Sequence, residues 1–199
     1  LALAYDQLNS INFSLTECFK VFTDATLRLC EGQALDKDFE LRQEVSVQDY
    51  LKMVSLKTGT LLSLSCQLGA IIGGANGNSI VSLAQFGQDL GQAFQIQDDI
   101  LEIYSDFGKM GKSLGSDIVT NKKTFLTCKA IEMNSSKWYS FKKSLFGNSV
   151  NENLMKIRDY FDTNGMSREA QILSHKLFES ALSFLEEMPT ELQTDLTEF

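Results

Sequence analysis

Three features of this sequence predict an all-α fold. Apolar residues recur three and four apart along most of its length, the repeat of one helix face. The only proline among 199 residues is Pro189, so this kind of helix breaker is absent from everything before it. No succession of strands is evident anywhere, which leaves helices packed on helices around one core, and a single domain is expected over residues 1–199.

Taken in chain order, "LALAYDQL" has no initiator Met and reads as the middle or end of an amphipathic helix without a start signal. Ser14-Leu15-Thr16-Glu17 has the form of a capping box, and Leu15, Phe19, Phe22 and Leu29 follow at helical spacing. A helix is expected from about Leu15 to Cys30, with Gly32 as its C-cap and "QALDKDFE" as a polar connection. Val47, Leu51, Val54, Leu61, Leu62 and Leu68 place the next helix over 46–72. The stretch "GGANGNS" breaks that helix and caps another, from about Ile80 to Tyr104, in which Gly87 and Gly91 allow a kink or a close approach. "DFGKMGKSLGSDIVTNKKT" has no sustained period and reads as a long loop, a length usually tied to function or motion. Helical segments follow at about 124–132, 136–146, 151–163 and 166–187.

Composition excludes several classes of function. Eighteen Lys and Arg against 26 Asp and Glu give a net charge of −8, which argues against sequence-independent binding to nucleic acid or to an anionic membrane. The apolar run from Leu61 to Ile72 contains Ser63, Ser65 and Gln67 and is too short to span a bilayer. Cys18, Cys30, Cys66 and Cys128 form no CxxC pair and are expected to be buried reduced thiols of an intracellular, cytoplasmic chain. With His175 the only histidine, a zinc site or a serine triad has almost nothing to be built from. A satisfied or exposed helical residue is the reading for it.

The stretch "FQIQDDILEIYSD" carries the chemistry. Gln95, Asp98, Asp99 and Glu102 fall at i, i+3, i+4 and i+7 and are expected to share one face. Neighbouring like charges in an apolar pattern need a positive partner. Carboxylates are hard ligands suited to Mg²⁺, which keeps several waters and accepts a substrate's phosphates. The loop that follows brings Asp117 and three lysines, Lys112, Lys122 and Lys123, the cations a diphosphate would want on its other side. Lys57, inside "SLKTGTLL" and followed by Thr58, either snorkels to solvent or reaches an anion. Each signal alone also fits a solvated helix face.

The order of these segments is more specific. "YLKMVSLKTGTLLSLSCQLGAIIGG", "FGQDLGQAFQIQDDILEIY" and "GKSLGSDIVTNKKT", with "LCEGQALD" before them and "LFESALSFLEEMP" after, resemble the trans-isoprenyl diphosphate synthases, or polyprenyl synthetases, over nearly the whole chain. The resemblance implies an all-helical bundle with a central apolar cavity, a homodimer, and head-to-tail addition of isopentenyl diphosphate to an allylic diphosphate with Mg²⁺. By motif it makes Asp98, Asp99 and Glu102 the second aspartate-rich region, with Glu where Asp is usual, and gives Asp117 a metal-water role. Lys57, Thr58, Gln95, Lys112 and Lys122 match positions that hold the allylic diphosphate, and Gln33 and Asp36 positions near further metals. The family's first aspartate-rich motif is not in these residues, so a fragment lacking an N-terminal third, inactive alone, is expected. A non-catalytic subunit regulating a partner synthase is the alternative. A terpene cyclase is disfavoured by the lysine loop.

Overall fold

In the computed structural model the described residues are 2–11, 14–105, 121–186, 188–189, 192–193 and 196. Among them every regular element is a helix: α1 Ala2–Asn9, α2 Leu15–Leu41, α3 Val47–Val54, a π turn Ser55–Gly59, α4 Thr60–Ile72, α5 Gly77–Tyr104, α6 Phe125–Ser144, α7 Val150–Thr163 and α8 Met166–Ser183. The all-α expectation therefore holds.

Several boundaries differ for physical reasons. The helix expected to stop at Cys30 continues to Leu41. Gly32 is not its cap: a Cβ there would lie 2.6 Å from the Lys57 backbone nitrogen, so the glycine permits close backbone approach in mid-helix. Ser14 sits at φ 52°, whereas a capping-box residue uses extended backbone. The capping boxes are elsewhere, at Thr124 with Thr127 before α6 and at Ser149 with Glu152 before α7. Asn76 does cap α5, accepting from the Ser79 backbone N–H at 3.0 Å. The break expected near residue 134 is present: Asn134 leaves helical geometry at φ −167°, and its side chain accepts from the Lys137 N–H, restarting α6.

Two compact units divide these helices. The first comprises Leu1–Gln33, Ser55–Gln92 and Lys176–Phe199. Its core joins Ala70, Leu83, Phe86, Ala181, Leu185 and Met188. A second cluster packs Leu8, Cys18 and Ile71 with Phe19 and Phe22. Buried Asp89 accepts from Gln85 and Ser180 at 2.9 and 2.7 Å, so each of its carboxyl oxygens has a donor. Within this unit a Cβ on Gly87 would meet the Leu62 carbonyl carbon at 2.7 Å, while one on exposed Gly69 of α4 would meet nothing within 4 Å. The two glycines should thus respond oppositely to alanine. Gly87→Ala is expected to destabilise by about 1–2 kcal/mol, overpacking outweighing the helical gain, and Gly69→Ala to stabilise by about 0.5–1 kcal/mol. Urea melts of both variants check the signs.

The second unit comprises Ala34–Val54 and Ala93–His175. Trp138 stacks on Phe161, with ring centroids 5.7 Å apart, beside a second stacked pair, Phe141 and Tyr160. Ile96, Leu126, Cys128, Ala130 and Ala170 are fully buried in the same unit. Cys18 and Cys128 are buried as expected, Cys66 is half-buried, and Cys30 is exposed, contrary to expectation. His175 is an exposed helical residue. No helix among the described residues is long and apolar enough to cross a membrane.

Candidate active site

Near its C-terminal end α5 turns its two adjacent aspartates in different directions. Asp98 is exposed and Asp99 is 3% exposed, while Gln95 and Glu102 are half-buried. Successive helical residues are about 100° apart, so an adjacent pair straddles the edge between solvent and core. Asp98 and Glu102, four apart, keep the solvent-side ridge.

Asp99 is held by three elements of the second unit. The Tyr50 hydroxyl of α3 donates to Oδ2 at 2.5 Å, the Phe125 backbone N–H donates to the same oxygen at 2.9 Å, and Gln95 Nε2 donates to Oδ1 at 3.3 Å. Phe125 opens α6, so the carboxylate answers one of that helix's orphan donors and sits at the positive end of its dipole. Burial nevertheless raises the Asp99 carboxyl from 3.8 to about 6, against the lowering pull of Tyr50, Phe125, the Lys122 charge and Gln95. Burial and the Asp99 charge together push the Tyr50 phenol well above its usual range.

A raised carboxyl means that the folded chain keeps this proton in a range where the unfolded chain has lost it. The contribution to stability is full below about pH 4 and is lost as pH rises through about 6, amounting to at most about 3 kcal/mol. Measured without divalent metal, wild-type stability should fall from pH 4 to 6.5 relative to Asp99→Asn. Parallel profiles for the two proteins would remove Asp99 as the titrating group.

Consecutive lysines beside Asp99 have opposite fates. Lys122 is half-buried, and its charge acts on the Asp99 carboxylate. Lys123 is buried, donates to the Asn121 carbonyl at 3.2 Å, and has its ammonium lowered by desolvation. Asn121, at φ 62°, ties this corner down by donating to the Glu40 carbonyl at 2.9 Å and accepting from Lys142 at 3.1 Å. At the end of α5, Arg158 donates to the Ile103 and Ser105 carbonyls at 2.7 and 2.9 Å. The Tyr104 hydroxyl reaches Asp162 at 2.7 Å and also bonds Ser167. Neither Arg158 nor Tyr50 carried a local sequence signal, since each acts across at least 49 residues.

Of the expected site residues, Gln95, Asp98, Asp99, Glu102 and Lys122 lie in the second unit. Lys57 and Thr58 lie in the first, inside the π turn, both half-buried. Gln33 is exposed and Asp36 buried, both on α2. Lys112 and Asp117 fall outside the described residues. Among the described residues no three His, Cys, Asp or Glu side chains converge tightly enough to hold a metal on their own.

The polyprenyl synthetase family matches residues 1–161, and the chain belongs to that family. It is 35% identical over 174 residues to the short chain isoprenyl diphosphate synthase of Methanothermobacter thermautotrophicus, covering 86% of this chain and 54% of that protein. It is also 35% identical over 180 residues to the geranylgeranyl diphosphate synthase of Sulfolobus acidocaldarius, covering 89% of this chain and 54% of that one. The crystal structure of geranylgeranyl pyrophosphate synthetase from Pyrococcus horikoshii Ot3 superposes with a TM-score of 0.88 at 31% identity, over 97% of this chain and 60% of that one. The chain thus spans about half the length of the curated relatives it matches.

Proposed function

We propose that the protein is a prenyltransferase that condenses isopentenyl diphosphate head-to-tail with an allylic diphosphate, giving an (E)-polyprenyl diphosphate of the farnesyl or geranylgeranyl class, as a cytoplasmic homodimer. The observation that carries this reading is the division of the aspartate pair. Asp99 is spent on holding α3, α5 and α6 together, with the Lys122 charge acting on it, which leaves exposed Asp98 and, one turn on, half-buried Glu102.

The pair suits Mg²⁺: it offers hard oxygen donors to a cation that keeps several waters and takes the rest of its ligands from phosphate oxygens. Asp98 and Glu102 would hold it, with Asp117 as a partner of its waters. Asp99 fits poorly as a direct ligand, because Oδ2 already accepts from two donors and Oδ1 from one. Bound Mg²⁺ supplies Lewis-acid charge for a departing diphosphate.

The chain's own residues do the rest. Lys57, Thr58, Lys112 and Lys122 bind the allylic diphosphate, the three lysines countering the negative charge that gathers on it. Gln95, fixed by its bond to Asp99, orients an amide toward the same group. The final proton leaves on the departing diphosphate.

Incubating the full-length protein with labelled isopentenyl diphosphate and allylic diphosphates of several lengths tests the reading. A prenyl diphosphate product that requires Mg²⁺ is expected. No product alone, but stimulation of a partner synthase, would replace this reading with the regulatory one.

A further inference from the structure

In the first unit, Lys57 and Thr58 stand on the π turn Ser55–Gly59, where one extra residue widens the helix between α3 and α4. Such a turn disturbs the regular hydrogen-bond ladder and persists only where its surroundings support it. Its opening carbonyl has that support. The Gln88 side-chain amide, from α5, donates to the Ser55 carbonyl at 2.9 Å and to Ser55 Oγ at 3.0 Å. The Thr60 hydroxyl donates to the same carbonyl at 3.1 Å.

Bare backbone on three sides makes this possible. A Cβ on Gly59 would lie 2.1 Å from Gln88 Nε2, so only glycine lets the amide pass. A Cβ on Gly91 would lie 2.8 Å from Gly59 Cα and 3.0 Å from the Thr58 carbonyl oxygen. One on Gly32 would lie 2.6 Å from Lys57 N and 2.8 Å from the Leu56 carbonyl carbon. The backbone of Leu56–Gly59 is therefore pressed between α2 and α5, and from α5 the Gln88 side chain ties the turn's first residue, Ser55, by hydrogen bonds.

We propose that Gln88 is a positioning residue: its amide holds the Ser55–Gly59 turn in the wide register that aims Lys57 and Thr58 at the diphosphate of the allylic substrate. This rests on the reading that Lys57 and Thr58 bind that diphosphate. Relaxing a π turn to an α turn shifts the register by one residue, a rotation of about 100°, enough to swing both side chains off their target. Met is close to Gln in length and has no donor, so Gln88→Met removes the tie while keeping the packing.

In the full-length protein, Gln88→Met is expected to raise KM for the allylic diphosphate about tenfold. The Kd for inorganic diphosphate, measured with Mg²⁺ by calorimetry, should rise by a similar factor. KM for isopentenyl diphosphate and kcat at saturation should stay within about threefold. Amide exchange over residues 56–60 should accelerate. Because Gln88 and Thr60 serve one carbonyl, Gln88→Met with Thr60→Val should weaken diphosphate binding by more than the product of the single effects. Unchanged diphosphate affinity in Gln88→Met, with Lys57→Ala weakening it, overturns this proposal alone. Losses shared equally by both substrates and tracking Tm make Gln88 merely structural and overturn it too. Unchanged affinity in Lys57→Ala overturns the underlying reading of Lys57, and this proposal with it.

Discussion

Asp99→Ala is expected to destabilise the fold by about 3–5 kcal/mol, whereas Asp99→Asn leaves it as stable as the wild type at pH 7 or more so. Alanine removes the acceptor for the Phe125 N–H and the Tyr50 hydroxyl, both buried, and for the Gln95 amide. Each abandoned donor costs about 1–3 kcal/mol, and a small cavity adds to it. Asparagine keeps an oxygen where Phe125 and Tyr50 donate. Its amide group then faces Gln95, which can turn its own amide to accept. The change also removes the charge whose burial raises the carboxyl to about 6. The single tryptophan, Trp138, is buried in the same unit and reports unfolding by fluorescence. An alanine variant as stable as the asparagine one would mean that Asp99 does not hold these helices together.

The helices were legible because their apolar faces repeat at 3.6 residues, a property each segment carries by itself. Even the interruption of α6 could be read, since Asn134 and the serines after it favour a restart. Gly32 was misread because a glycine that ends a helix and one that admits a neighbouring backbone look identical in sequence. Only the Leu56–Lys57 backbone, more than twenty residues on, tells them apart. The π turn has no sequence signature, and the amide that supports it comes from another helix. The residue types of the candidate site were legible in the same way, but their division of labour was not. Asp98 and Asp99 share a dipeptide, and what separates them is Tyr50 on another helix and the first N–H of a third. Lys122 and Lys123 likewise share a dipeptide, and what parts them is the burial of the second, whose ammonium donates to the Asn121 carbonyl.

That division fixes the outcome at the neighbouring position. Asp98→Asn is expected to leave stability within about 0.5 kcal/mol of wild type, as exposed substitutions away from packing do. In the full-length protein it should lower kcat/KM by at least about a hundredfold, roughly 3 kcal/mol of transition-state stabilisation, because a neutral amide is a poor ligand for a hard cation. Glu102, four residues on and half-buried, should matter less, since on the proposed reading its longer acid would reach the same ion from farther off. A readout independent of turnover is the rise in Tm on adding Mg²⁺ with inorganic diphosphate, which should shrink in Asp98→Asn and survive in Asp99→Asn. The two variants thus exchange phenotypes: one folds normally and loses metal-dependent chemistry, while the other retains its metal response and loses the pH dependence of stability. If Asp98→Asn kept its activity and Asp99→Asn lost it with the fold intact, the buried carboxylate would be the ligand, and Tyr50 and Phe125 would have to release it on metal binding.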